Sequence, residues 1–210
     1  IELKNVSVTY NLSKEIEDKD IVLKNVNLEL VKGKKSILVG KNGSGKSTTL
    51  LSARGLISKS VGQYKGEIKI YGNKLDDTEL GTLSKYLRIV FPSAAHGLVG
   101  IRVKDELGLS LLRSKHATGY NKQKFIDILE KVGLDESYLN KKTLSLSGGQ
   151  QQRIALASSL ISDPEMLFFD EVSGQLDPLG KKEVFSSINN ISKSQSILVS
   201  EANLNPYEFD

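Results

Sequence analysis

An α/β fold with a buried, mostly parallel sheet is the architecture this sequence predicts, with an antiparallel β edge near the N-terminus and a helical insertion in the middle. Three observations predict it. Ser36-Ile37-Leu38-Val39, Met166-Leu167-Phe168-Phe169 and Ile197-Leu198-Val199 are short continuous apolar runs, the pattern of strands buried on both faces of a parallel sheet. Residues 1–10 and 21–31 instead alternate apolar and polar side chains, the period of a half-buried strand. Between residues 93 and 160 the pattern turns helical, so strands on either side enclose an inserted helical unit.

In chain order, Leu3, Val6 and Val8 mark the apolar face of the first strand, and residues 11–20 form a polar loop. Val22, Val26, Leu28 and Leu30 carry the second strand to a turn at Lys32-Gly33-Lys34. The buried run 36–39 leads through a glycine-rich loop into a helix over 47–54. Residues 66–72 read as an edge strand ending in a turn, and residues 87–91 as a strand stopped by Pro92. Phe125, Ile128, Leu129 and Val132 make an amphipathic stripe ended by Gly133. A second helix starts near Gly149 and runs through Ile154, Leu156 and Leu160. The expected division is a core of residues 1–92 and 161–210 with a helical subdomain over 93–160.

At 210 residues the chain is one domain, or one domain with a subdomain, and is long enough for a sizeable core. Its 39% hydrophobic and 26% charged residues fit a globular chain and not a disordered one. No apolar run approaches the roughly 20 residues of a membrane-spanning helix, so a membrane role must come through a partner. With no cysteine, disulfides and thiolate metal sites are excluded, and a reducing cytosol is permitted. The net charge of +4 comes mostly from scattered lysines, which make a solvated surface and not a nucleic-acid patch; no nucleic-acid partner is expected. The sequence begins at Ile1 without a methionine or a signal-peptide pattern and stops at Asp210, a few residues past an expected strand. It is expected to be a piece of a longer polypeptide whose flanks carry further structure.

Gly40-Lys41-Asn42-Gly43-Ser44-Gly45-Lys46-Ser47, followed by Thr48, is a complete phosphate-binding loop between a strand and a helix. Gly40, Gly43 and Gly45 let the backbone turn tightly and bring its N–H groups to phosphate oxygens at the positive end of the helix. Lys46 would reach the β- and γ-phosphates, and the Ser47 hydroxyl would ligate Mg²⁺. Asp170 ends an apolar strand, where a carboxylate can hold the same Mg²⁺, and Glu171 beside it is placed to polarise the attacking water as a general base. The third motif is Leu146-Ser147-Gly148-Gly149-Gln150. Its two glycines bare N–H groups before a helix, and Ser147 adds a hydroxyl, which makes a second phosphate-binding surface. Ser147 with Gln150 three residues on also fits a capping box.

The order of these three motifs resembles the ATP-binding-cassette (ABC) ATPases over nearly the whole chain. The resemblance implies a P-loop NTPase with a RecA-like parallel core. It implies that Leu146, Ser147, Gly148, Gly149 and Gln150 clasp ATP held by an opposite ATPase domain, so that two domains sandwich two nucleotides head to tail. It also implies that Tyr10 stacks on adenine and that Ser173-Gly174-Gln175-Leu176-Asp177-Pro178 crosses the interface, with Asp177 its carboxylate. Gln-Leu-Asp-Pro-Leu-Gly at 175–180 is similar to the energy-coupling-factor branch, which imports vitamins and metal ions. The implied function is to bind MgATP, pair with a second cassette and drive transmembrane transporter subunits from the cytoplasmic face of the membrane.

Two positions depart from the family pattern. Pro92 stands where the family places a glutamine that touches Mg²⁺ and the lytic water, and it has no side-chain donor or acceptor. Glu201 stands where a histidine contacts the γ-phosphate, which a carboxylate repels unless protonated or paired with metal. The two histidines, His96 and His116, lie elsewhere in loops. Slow turnover is expected. A catalytically degenerate regulatory partner and an ABC ATPase outside transport remain alternatives at this point.

Overall fold

The computed structural model describes residues 1–12, 18–57, 61–78, 80–94, 97–112, 121–174, 176–191 and 194–203. In chain order the strands are β1 (Glu2–Thr9), β2 (Ile21–Glu29), β3 (Lys35–Val39), β4 (Gln63–Ile70), β5 (Asn73–Lys74), β6 (Leu87–Val90), β7 (Met166–Asp170) and β8 (Ser196–Glu201). The helices are α1 (Lys46–Ala53), α2 (Leu80–Tyr86), α3 (Val103–Leu112), α4 (Lys122–Lys131), α5 (Gly148–Leu160) and α6 (Pro178–Asn189).

Two sheets result. The first is antiparallel with order β2-β1-β4-β5, and the second is parallel with order β3-β8-β7-β6. The antiparallel sheet bends where the β1–β4 register shifts between Lys4 and Ser7. Gly66 lies across from that shift at φ +100°, and a Cβ there would fall 2.4 Å from the Asn5 carbonyl oxygen, so only glycine fits. The sequence reads β4 as an edge strand. It is an inner one, because the turn at Tyr71-Gly72 sends Asn73–Lys74 back along it.

Period-2 alternation splits the parallel strands between two cores. Met166, Phe168 and Leu198 enter a cluster with Leu50 of α1 and with Leu3, Val6 and Val8 of β1. Leu167, Phe169, Ile197 and Val199 enter a cluster with Ile154 and Leu156 of α5 and with Val184 and Phe185 of α6. Both β7 and β8 are buried at every position, as their apolar runs predict. The same expectation fails for β3, where Ile37 and Val39 are 41% and 57% exposed. Among the described residues β3 is the outermost strand of its sheet, bonded only to β8, and one of its faces is uncovered.

The helical subdomain is not a separate body energetically. Asn121 caps α4 by accepting from the Lys124 N–H at 3.1 Å, and Gly133 at φ +71° ends it. The stripe Phe125, Ile128, Leu129 and Val132 is buried in the same cluster as Phe169 of β7. Phe125 is fully buried, so Phe125→Ala is expected to cost ~3–5 kcal/mol through the cavity it leaves. Because the cluster is continuous, the loss should lower a single cooperative transition. A separate early melting step in urea or heat, with the sheet unaffected, would show that the helices unfold independently.

Candidate nucleotide site

The site is assembled by strand register. In-register parallel pairing sets Val39 beside Glu201 and Asp170 beside Ser200, so the carboxyl ends of β3, β8 and β7 form one row. Gly40 N–H donates to the Glu201 carbonyl at 3.3 Å, which starts the glycine-rich loop at that row. Gly45 takes φ +90° as the residue before α1, and a Cβ on it would meet Leu23 Cδ2 at 2.3 Å. The first-turn N–H groups of α1 have no acceptor within the helix, which leaves them available to an anion at the loop. Lys41, Asn42, Gly43, Ser44 and Ser47 are exposed there, whereas Lys46 and Thr48 are buried.

The Lys46 ammonium is 4% exposed and spends its donors within the site. Its Nζ donates to Gly40 O at 2.6 Å and to Lys41 O at 3.1 Å, and pairs with Glu171 Oε1 at 2.8 Å. Asp170 is buried and accepts from Ser200 Oγ at 2.7 Å through Oδ1. Glu171 leaves the strand at φ +45°, a strained conformation for this residue type, and its N–H donates to Ser200 O at 2.9 Å. The structure therefore brings Lys46, Asp170 and Glu171 to the carboxyl end of the parallel sheet. A carboxylate such as Asp170 and a serine hydroxyl such as Ser47 are oxygen donors of the hard kind that suits Mg²⁺.

Ser147 and Gln150 form the capping box. Gln150 N–H donates to Ser147 Oγ at 3.3 Å, and Ser147 N–H donates to Gln150 Oε1 at 3.1 Å. Gln150 Nε2 also reaches Tyr138 Oη at 3.0 Å. These bonds stay within the helical part of the chain. Gly149 lies near the loop after β7 instead, with Leu176 Cδ2 3.9 Å from where its Cβ would be. Asp177 is the N-cap of α6, its Oδ1 accepting from Gly180 N–H at 2.7 Å. The Tyr10 hydroxyl is 3.1 Å from Thr48 Oγ1, and its ring is 40% exposed beside α1. Gln175, His96 and His116 lie outside the described residues.

Glu201 does not present a free charge. It is 4% exposed, with Oε1 accepting from Ser173 N–H at 3.3 Å and Oε2 from Ser173 Oγ at 3.0 Å. Burial pushes its carboxyl above the usual glutamate range, and Glu171 pushes the same way, while the Ser173 bonds and Lys181 pull it back. At the other departure, the Phe91 carbonyl next to Pro92 accepts from the buried Gln152 Nε2 at 3.1 Å. The sequence reading missed Ser200 and Gln152, and it named Ser173 only as part of the 173–178 loop, not as the partner of Glu201. Ser200 had a signal, since a hydroxyl ending an apolar strand beside another strand's carboxylate is placed to bond it. Gln152 had none beyond being polar on an otherwise apolar helix face.

A family described as ABC transporter matches residues 23–174 of this chain. The energy-coupling factor transporter ATP-binding protein of Mycoplasma mobile is 36% identical over 199 residues, covering 93% of this chain and 68% of that protein. Its counterpart in Oceanobacillus iheyensis is 33% identical over 94% of this chain and 67% of that protein. The chain thus spans about two thirds of the length of these relatives. Among solved structures, the dimer of an ATP-binding cassette in a post-hydrolysis state, bound to ADP and Pi, superposes with a TM-score of 0.79. Identity is 26%, over 97% of this chain and 88% of that one.

The raised Glu201 carboxyl has a consequence for stability. The protonated form favours the folded chain, so this contribution is full below the ordinary glutamate value and fades as pH rises through the raised one. Glu201→Gln removes that dependence. Its stability relative to the unmodified chain should climb as pH rises from about 4 toward neutrality, read from urea midpoints. A difference that stays constant over that range would mean that Glu201 titrates like an exposed glutamate.

Proposed function

The chain belongs to the ABC transporter family, and from that premise we propose that it is the ATP-binding cassette of an energy-coupling-factor type transporter. It binds MgATP, closes head to tail on a second cassette, and hydrolyses nucleotide to drive transmembrane subunits while lying peripheral to the membrane. The observation that carries this reading is the Lys46–Glu171 pair at 2.8 Å beside the buried Asp170, at the mouth of the glycine-rich loop. A γ-phosphate entering the cradle competes with Glu171 for Lys46. Its arrival frees the Glu171 carboxylate to take a proton from water, so substrate binding itself arms the base. Ser47 and Asp170 would hold Mg²⁺, which neutralises phosphate charge as the leaving group departs. Thr48 and residues 40–45 complete the phosphate cradle, and Tyr10 supplies the adenine-facing ring. Leu146, Ser147, Gly148, Gly149, Gln150 and Asp177 serve the opposite nucleotide; the bonds of Ser147 and Gln150 stay away from the loop of their own chain, which supports that arrangement.

The pair of substitutions that tests this reading separates binding from assembly. Lys46→Ala removes a charge-assisted contact worth ~1.5–3 kcal/mol and should weaken ATP binding about tenfold to a hundredfold by calorimetry. Ser147→Arg should leave that affinity intact yet abolish ATP-dependent dimers in sedimentation, because it places bulk in the partner's site. Lys46→Ala binding ATP normally, or Ser147→Arg dimerising normally, would overturn the assignment of the corresponding surface.

Intrinsic hydrolysis is slow in this reading. A general base gives ~10²–10⁴-fold only when its water is held in line with the phosphate. Pro92 offers no group to hold that water, and both oxygens of Glu201 are engaged by Ser173. At saturating ATP, Pro92→Gln should raise turnover, and Glu171→Gln in that background should cancel the gain. Turnover by the unmodified chain at about 1 s⁻¹ or faster would refute the claim.

A further inference from the structure

Glu201 is a buried carboxylate at the centre of the row, and the mechanism above gives it no part in chemistry. Its backbone and side chain act in opposite directions. Through its carbonyl it accepts from Gly40 N–H and anchors the start of the loop for its own chain's nucleotide. Through its carboxyl it accepts both donors of Ser173, two residues past Glu171. From Ser173 the chain turns, with Leu176 N–H donating to Ser173 O at 3.1 Å, and then reaches Asp177 at the cap of α6. Leu176 in turn neighbours Gly149. One residue thus joins the loop of this site to the segment assigned above to the partner's site.

The chemistry of the side chain fits that task. A carboxylate accepts two hydrogen bonds from one neighbour through separate oxygens. A neutral imidazole has one acceptor nitrogen, so histidine here would leave one Ser173 donor unpaired in a buried setting. Burying a carboxyl is unfavourable unless hydrogen bonds offset it, and among the described residues those bonds come from Ser173. We propose that Glu201 is a positioning residue: it fixes Ser173, Gly174, Leu176 and Asp177 for the opposite cassette, in place of touching phosphate itself. This rests on the head-to-tail reading above.

Amide exchange and assembly, measured on the same variants, test it. In the unmodified chain the Ser173 amide should exchange slowly. Glu201→Ala and Glu201→His should speed it roughly tenfold, the loss of a buried, charge-assisted bond. Glu201→Gln should keep it slow, because the amide oxygen accepts from Ser173 N–H while its NH₂ donates to Ser173 Oγ. ATP affinity of the monomer should hardly change across these variants, whereas ATP-dependent dimerisation should weaken in the alanine and histidine variants and recover in the glutamine one. Should Glu201→Ala not fold, Ser173→Ala removes the hydroxyl bond from the loop side and keeps the amide one, so exchange at position 173 should stay slow while ATP-dependent dimerisation weakens. Unchanged Ser173 exchange in Glu201→Ala or Glu201→His overturns the bracket itself. Faster exchange with normal dimerisation overturns its positioning role. An unmodified chain that keeps Ser173 protected but never dimerises with ATP overturns the head-to-tail reading instead, and the positioning role with it.

Discussion

The in-register parallel pairing of β8 with β3 on one side and β7 on the other is the constraint from which the site follows. Asp170 stands two residues past Phe168 and Ser200 two past Leu198, so both emerge on the α1 side of the sheet. A one-residue slip of either strand would put Asp170 or Ser200 on the wrong face and pull the Glu171 N–H off the Ser200 carbonyl. The core enforces the register. Phe168 and Leu198 must enter one cluster while Phe169 and Val199 enter the other, and no one-residue shift satisfies both. Burial in two directions is thus what holds three polar residues at ångström precision. The antiparallel sheet constrains the loop as well, since a Cβ on Gly45 would meet Leu23 Cδ2 at 2.3 Å.

Each charged group of the site meets partners of the opposite kind, the carboxylates meeting donors and the ammonium meeting acceptors. Asp170 has Ser200, Glu201 has Ser173, and Lys46 has Glu171 and two carbonyls. A similar solution recurs in the helical part. Buried Glu106 accepts from the Val99 and Gly100 N–H groups at 2.8 Å and from Ser158 Oγ at 2.9 Å. That carboxylate pins the segment entering α3 onto α5, and a Cβ on Gly100 would meet the Glu106 backbone N at 2.3 Å. The two regions differ in their partners. Glu106 is bound by neutral donors, whereas Lys46 and Glu171 pair charge with charge.

Much of this was legible in the sequence because the signals were local. The strand–loop–helix around Gly40 to Ser47, the capping box at Ser147 and the stripe from Phe125 to Val132 each lie within a dozen residues, and each formed as read. What was not legible depends on neighbours far along the chain. Whether β3 is buried on both faces is decided by what packs against it, and Ile37 and Val39 look the same in sequence either way. The role of β4 as an inner strand is set by a two-residue strand too short to carry a period. The orientation of Glu201 is the sharpest case. Its position beside the site is readable, but its partner Ser173 is 28 residues away, and only the fold shows that the carboxyl turns there.

Helix α5 links the segment around Pro92 to the turn that Ser147 caps. At its N-terminus the helix presents the Ser147 surface. One turn on, Gln152 donates to the carbonyl of Phe91, the residue before Pro92. Next to it, Arg153 donates to Gly133 O at 3.1 Å and meets Glu183 of α6 at 3.3 Å. A rigid helix converts a displacement of its first turn into a displacement of everything bonded along it. The segment around Pro92 is therefore tied through its main chain to the helix that Ser147 caps. Proline does not cut that connection, because the bond is accepted by the preceding carbonyl, which proline leaves in place.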